Sequence, residues 1–320
     1  MQPSALAILP TMSPAARYAV RLLFGIPWII FGIQHYMYAD FVGTLVPAFM
    51  PWRVFWAYFT GTAMFVAGLS FIIRWQTQLA AFLLGCLMLL YLLMVHPGML
   101  TNEPQVGQHW TRFMQDIAIM GAAFALAMSE WKALDQNRRF RPRYPRKGPT
   151  VLEPTKDTSE ALVSKQLRRR PTDGMFGARQ AMAKNWGMDA AGLRGWRAWL
   201  ASARASVIVR YCYALPFIVL GAQHFTHNAF VTAKVPDWAL FPHFWDYVIG
   251  LALIAASYGI LFTSKKRWTA CALGTILTAL ALLQHVPRMI TDPHNPGVWT
   301  PSMLDFALAA GAFLLAETMD

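Results

Sequence analysis

Charge is scarce in this chain. Asp, Glu, Lys and Arg make up 14% of its 320 residues, against about 25% in soluble domains. Acid is scarcest: 16 Asp and Glu face 28 Lys and Arg, a net charge of +12. Cysteine is limited to Cys86, Cys212 and Cys271, each inside an apolar run and none in a CxxC pair. A disulfide framework and a cysteine zinc site are therefore not suggested, and the thiols read as buried and inert. Neither HxxxH nor HExxH spacing occurs, which counts against haem or metal ligation. Histidine is missing from the whole stretch between His109 and His224.

Apolar residues fill the space that charge leaves. The chain is 56% hydrophobic, with mean hydropathy +0.35, 13 Trp and 21 Phe. Apolar runs lie near 18–38, 54–73, 79–98, 112–129, 206–226, 244–263, 268–287 and 302–318. Each approaches the roughly 20 residues that cross a bilayer as a helix. Spans must satisfy their own backbone groups, so only helices or closed barrels qualify. Runs this continuous predict helices, since barrel strands are shorter and alternate. The first run is too long for a cleaved signal peptide, and no small-x-small site follows it.

The predicted fold is an all-α membrane protein of eight spans. A first unit covers 1–130 and a second 206–320, with a basic linker at 131–205. With the N-terminus in the cytoplasm, only Arg53, Arg112, Lys234 and Arg288 fall outside, leaving 24 of 28 basic residues inside. The positive-inside rule then places both termini and the linker in the cytoplasm of a bacterial-type inner membrane. This asymmetry explains the net charge without nucleic acid. In the linker, "RRFRPRYPRKGPT" and "KQLRRRPTDG" carry too little apolar surface to order themselves, and 137–172 is expected to be disordered. The stretch 187–204, "GMDAAGLRGWRAWLASAR", reads either as an amphipathic helix on anionic lipid or as a plain solvated linker.

The chain also repeats itself. "FGIQHYMYADFVGTLVP" at 31–47 returns as "LGAQHFTHNAFVTAKVP" at 220–236, an offset of 189 residues. Gly32, Gln34, His35, Phe41, Val42, Val46 and Pro47 thus match Gly221, Gln223, His224, Phe230, Val231, Val235 and Pro236. The register continues without a gap through Arg21/Arg210, Pro27/Pro216, Trp56/Trp245, Tyr58/Tyr247, Gly61/Gly250, Gly85/Gly274, His96/His285, Trp110/Trp299 and Asp116/Asp305. An even number of spans per copy predicts parallel repeats about an axis along the membrane normal.

The repeated polar residues are the candidate site. They are Gln34, His35, His96, Trp110 and Asp116 in the first unit, and Gln223, His224, His285, Trp299 and Asp305 in the second, with Tyr58 and Tyr247 in support. All eight histidines (His35, His96, His109, His224, His227, His243, His285 and His294) fall at the predicted outer face. Ionisable residues inside spans need partners. His35, His96 and Asp116 are expected to line one outward pocket, and His224, His285 and Asp305 its counterpart, with at least one His–Asp hydrogen bond in each. Gln34 and Gln223 lie about 100° further round the helix and should meet a neighbouring span or the other unit. Such pairs can move protons, hold a metal, bond a quinone carbonyl, or simply clamp helices together. Pro27/Pro216 and Gly61/Gly250 read as kink and packing positions, and Arg21/Arg210 as interface residues reaching for lipid phosphate.

Each unit has Gly-x-Gln-His ending span one, Pro after a short loop, Gly in span two, His ending span three and W-x5-D opening span four. In this pattern it resembles the DoxX/DoxD-type membrane proteins, which carry one four-span unit where this chain has two. The resemblance implies an integral membrane subunit of sulfur and redox chemistry. DoxD-type members are similar to the quinone-reducing thiosulfate dehydrogenase membrane subunit, and DoxX-type members are linked to oxidative-stress complexes. The implied partners are the bilayer, a soluble or membrane-attached redox subunit and, at the basic linker, anionic lipid. Three functions stay open: a quinone-linked redox subunit, a non-catalytic scaffold, and a small-molecule transporter using the cleft between repeats. Nearly uncharged span centres count against ion or sugar transport.

Overall fold

The computed structural model describes residues 12–103, 105–139, 192–226 and 241–319, with side chains outside 133–139 and 192–194. No strand occurs among the described residues. The helices are α1 (Pro14–Met37), α2 (Ala39–Leu45), α3 (Arg53–Ile73), α4 (Thr77–Met94), α5 (His96–Asn102) and α6 (Gly107–Arg139). They continue as α7 (Gly192–Leu200), α8 (Ala203–Ala214), α9 (Pro216–Thr226), α10 (Pro242–Phe262), α11 (Lys266–Leu280), α12 (Val286–Thr291) and α13 (Pro296–Thr318). The described residues up to 133 and from 200 onward form one compact body.

Among the described residues, seven helical stretches are long and apolar enough to cross a membrane: α1, α3, α4–α5, α8–α9, α10, α11–α12 and α13. The sequence expects another over 112–129. There α6 is one continuous helix, but Arg112, Gln115, Asp116 and Glu130 crowd its apolar stretch from both ends. It is not among the seven. The helix also runs ten residues beyond the expected span end at 129, to Arg139. Of the stretch 187–204, the described part from 192 forms α7 and, after a turn at Ala201 and Ser202, the start of α8. Residues 140–190, with most of the expected disorder at 137–172, lie outside the described residues, as do His227, Phe230, Val231, Val235 and Pro236.

Local devices recur at the same 189-residue offset. Ser13 caps α1 by accepting from Ala16 N–H at 3.2 Å, and Ser202 caps α8 from Ala205 N–H at 3.1 Å. Each cap satisfies a backbone donor that the first helical turn leaves open. Trp52 and Phe241 precede α3 and α10 in the left-handed region, at φ 53° and 58°. Both hold a large ring outward, four-fifths and three-quarters exposed. Pro27 stays within α1, whereas Pro216 opens a new helix, α9, after the break at Leu215.

Small residues bring the helices together. α1 packs most extensively on α3, and α9 on α10. A Cβ on Gly32 would stand 2.7 Å from the Gly61 carbonyl oxygen, and one on Gly221 would stand 2.6 Å from that of Gly250. Two turns along, Gly68 meets the Gly25 carbonyl, where a Cβ would stand only 2.5 Å away. At the matching place in the second half, Ser257 donates to the Ala214 carbonyl at 2.7 Å. Such close approach is how apolar helices gain contact when lipid offers no hydrophobic incentive.

The two halves meet through α6 and α13. Ala118, Ala122, Ala123, Ala125 and Ala127 of α6 are fully buried, as are Ala307, Ala309, Ala310 and Ala312 of α13. A Cβ on Gly311 would meet Ala122 Cβ at 2.6 Å, and one on Gly121 would meet the Tyr213 backbone at 2.7 Å. Tyr213 is buried there and donates its hydroxyl to the Leu308 carbonyl at 2.5 Å. α1 also packs on α13. The α13 stretch is accordingly 61% buried, against 33–44% for the other six.

Candidate functional site

The site gathers at the end of the bundle where α1, α4, α9 and α11 finish and α6, α10 and α13 begin. Proline shapes it. Pro97 has no N–H to close a turn on Leu93, and its ring crowds that carbonyl. α4 stops at Met94 and α5 starts afresh at His96. In the second half Pro287 acts in the same way on Leu283. The chain there widens into a π turn over Ala281–His285, with Val286 N–H reaching back to the Ala281 carbonyl. Single π turns inside helices are a recurring feature of functional sites. Both histidines therefore leave their helix at an interruption.

Across each interruption lies a carboxylate. His96 Nε2 is 2.8 Å from Asp116 Oδ2, and His285 Nε2 is 2.7 Å from Asp305 Oδ2. Both imidazoles are buried. His96 Nδ1 is also buried and, among the described residues, has no hydrogen-bond partner. With Nε2–H donating to Asp116, Nδ1 carries the lone pair of a neutral ring. Phe113 sets its ring edge-on to His96 at 5.3 Å.

His35 and His224 occupy equivalent places but have different partners. His35 Nδ1 is 2.7 Å from the Phe31 carbonyl and Nε2 is 3.2 Å from the Tyr91 hydroxyl. A carbonyl only accepts, so in the neutral ring Nδ1 carries the proton and Nε2 accepts from Tyr91. In the second half, His224 Nδ1 is 2.5 Å from Asp246 Oδ1. Asp246 is 0% exposed. At the 189-residue offset Asp246 corresponds to Ala57, and Tyr91 to Leu280. The halves thus solve one burial problem in two ways. Glycine fixes both histidines: a Cβ on Gly61 would lie 2.5 Å from His35 Cβ, and one on Gly250 would lie 2.7 Å from His224 Cβ.

The expected His–Asp hydrogen bond is present in each unit, at His96–Asp116 and His285–Asp305. His35 and His224 do not bond Asp116 and Asp305; their partners are Tyr91 and Asp246. Tyr58 and Tyr247 are not part of the cluster: they are exposed and pair with the Tyr36 and Phe225 rings at 5.1 and 5.4 Å. Trp299 ties its indole N–H to the Pro293 carbonyl at 2.8 Å, and Trp110 is more than a third exposed, beside Phe113. These tryptophans frame the cluster from the loop side.

Gln34 and Gln223 face the opposite half. Thr300 donates to Gln34 Oε1 at 3.2 Å, and Thr111 donates to Gln223 Oε1 at 2.8 Å. Thr111 and Thr300 are themselves separated by 189 residues, so the two bonds are reciprocal. Sequence reasoning missed Asp246 and Tyr91 because neither is repeated. An acid within a span is a signal by itself, and Asp246 carries it.

Among the described residues no group of three or more His, Cys, Asp or Glu side chains is placed to hold a metal ion. No family model, curated protein or solved structure matches the chain.

Proposed function

We propose that this integral membrane protein is a DoxX/DoxD-like, quinone-linked redox subunit whose histidine end faces outward and receives electrons from an outer-face donor, sulfur compounds among the candidates. In this reading α6 is the eighth span, and the two halves are parallel repeats about an axis along the membrane normal. Both termini and the basic linker lie in the cytoplasm, with the linker against anionic lipid. A cysteine introduced by Gly148→Cys, in a chain lacking the three native ones, should then resist an impermeant thiol reagent in intact cells.

The observation that carries the functional reading is the His96–Asp116 pair with its buried, unpartnered Nδ1. A carboxylate on Nε2 fixes the ring's orientation and tautomer. The free nitrogen can then accept a hydrogen bond from a quinol hydroxyl or, when protonated, donate one to a quinone carbonyl. Phe113 supplies a flat apolar neighbour. Protons can enter and leave at this end, where the second half repeats the pair.

A second reading is favoured by the completely buried Asp246: the pairs are clamps that hold spans together. One experiment separates the two. The full chain is purified in nanodiscs loaded with ubiquinone or menaquinone, and quinone retention and melting are compared for wild type, His96→Ala and Asp116→Asn. The redox reading expects folded variants that lose the quinone. Unchanged retention with a lowered melting temperature would leave the clamp.

A further inference from the structure

At the opposite end of the bundle the two halves differ in charge. Arg21 Nη2 bonds Glu130 Oε1, both side chains largely buried. Arg17 Nε lies 3.1 Å from Glu317 Oε1, joining α1 to α13. Lys132 adds a bond to the Thr318 carbonyl at 2.8 Å. At the 189-residue offset Arg21 becomes Arg210, but Glu130 becomes Met319, Arg17 becomes Ser206, and Met128 stands where the second half has Glu317. Met319 and Met128 are both buried. Only the arginine has survived on this side.

Arg210 lies on α8, which packs against α13 as α1 packs against its own neighbours. Among the described residues its guanidinium has no carboxylate partner. The nearest compensation is the Tyr211 ring, 5.9 Å from Cζ, and Nε is buried without a hydrogen bond. An N–H removed from water and left without an acceptor is costly, and a guanidinium is built for paired donation to an oxyanion. Arg210 stands about two turns in from the start of the α8–α9 stretch, a helical stretch long and apolar enough to cross a membrane.

We propose that Arg210 is an anion site for a phosphate group, filled by the headgroup of an anionic lipid that takes the place Glu130 holds beside Arg21. The site exists on one side of the molecule only. It is independent of the redox reading, since it uses none of the histidine-end residues.

The full chain in neutral detergent is titrated with phosphatidylglycerol, with phosphatidylcholine as control, and separately with inorganic phosphate; binding is read by native mass spectrometry and melting. Wild type should bind phosphatidylglycerol in preference, and Arg210→Met should bind it about tenfold more weakly. Met319→Glu restores the carboxylate. It should raise the melting temperature without lipid and abolish the response to phosphatidylglycerol, which guards against a variant that merely fails to fold. Stabilisation by inorganic phosphate that Arg210→Met removes would support the site and assign it to a free anion. Equal binding of phosphatidylglycerol by wild type and both variants, or no preference over phosphatidylcholine, overturns the proposal.

Discussion

His35 and His224 show how a single residue's chemistry depends on its neighbour across the helix contact. Both arise from the same Gly-x-Gln-His stretch, and both sit against a glycine that admits them to the interface. One is closed off by Tyr91; the other is held by a fully buried carboxylate. Removing that carboxylate with Asp246→Ala copies Ala57 of the first half but leaves His224 Nδ1 without its acceptor. The expected loss is about 1–3 kcal/mol, the cost of a buried polar group whose partner is gone, read as a lower melting temperature in detergent. Adding Leu280→Tyr to Asp246→Ala rebuilds the first-half arrangement and should recover part of that loss. No loss on Asp246→Ala alone would show that His224 does not depend on the carboxylate. The histidines and Asp116 and Asp305 were legible because they recur in register. Tyr91 and Asp246 were not, because a search for recurrence discards the places where the halves have diverged. Partner choice depends on which side chains face each other across α1 and α4, or α9 and α10, and spacing along one helix does not contain that.

At the scale of the element, helix existence was plain and helix interruption was not. The apolar runs are long and continuous, so period and length suffice for α1, α3, α10 and α13. The boundaries at Val95 and over Ala281–His285 come from prolines two residues beyond each break, and these fall one position apart in the repeat, at Pro97 and Pro287. Offset alone therefore gives no warning that one half breaks while the other bulges. α6 stands at the margin for a further reason: its charged residues are the ones that pair, Asp116 with His96 and Glu130 with Arg21. Pairing offsets a cost that composition counts in full. Pro287→Ala restores an N–H to the turn and removes the ring that crowds Leu283. Backbone amides over 281–285 should then exchange more slowly with deuterium. If the extra residue is absorbed into a regular helix, His285 turns by about 100° and its 2.7 Å bond to Asp305 is lost. Unchanged exchange over 281–285 would assign the π turn to packing rather than to the proline.

For the whole molecule, the deciding feature is that the contact between halves is reciprocal. Gln34 reaches Thr300 and Gln223 reaches Thr111, the pattern of a self-complementary interface in which each surface contacts the other's counterpart. Buried alanines of α6 and α13, with Gly311 against Ala122, fill the middle. Such an interface does not require the linker to hold it together. A chain cut within 140–190 and co-expressed as two pieces should therefore yield halves that co-purify on a tag carried by either one. Gly311→Leu should prevent co-purification, because even a single Cβ there would stand 2.6 Å from Ala122 and three further carbons have no space. Gln34→Leu and Gln223→Leu should each weaken association by about 0.6 kcal/mol, the usual worth of a hydrogen bond between spans. The two bonds share no residue, so the double variant should lose about twice as much. Pieces that fold separately and elute apart would show that the linker, and not the reciprocal interface, keeps the halves paired.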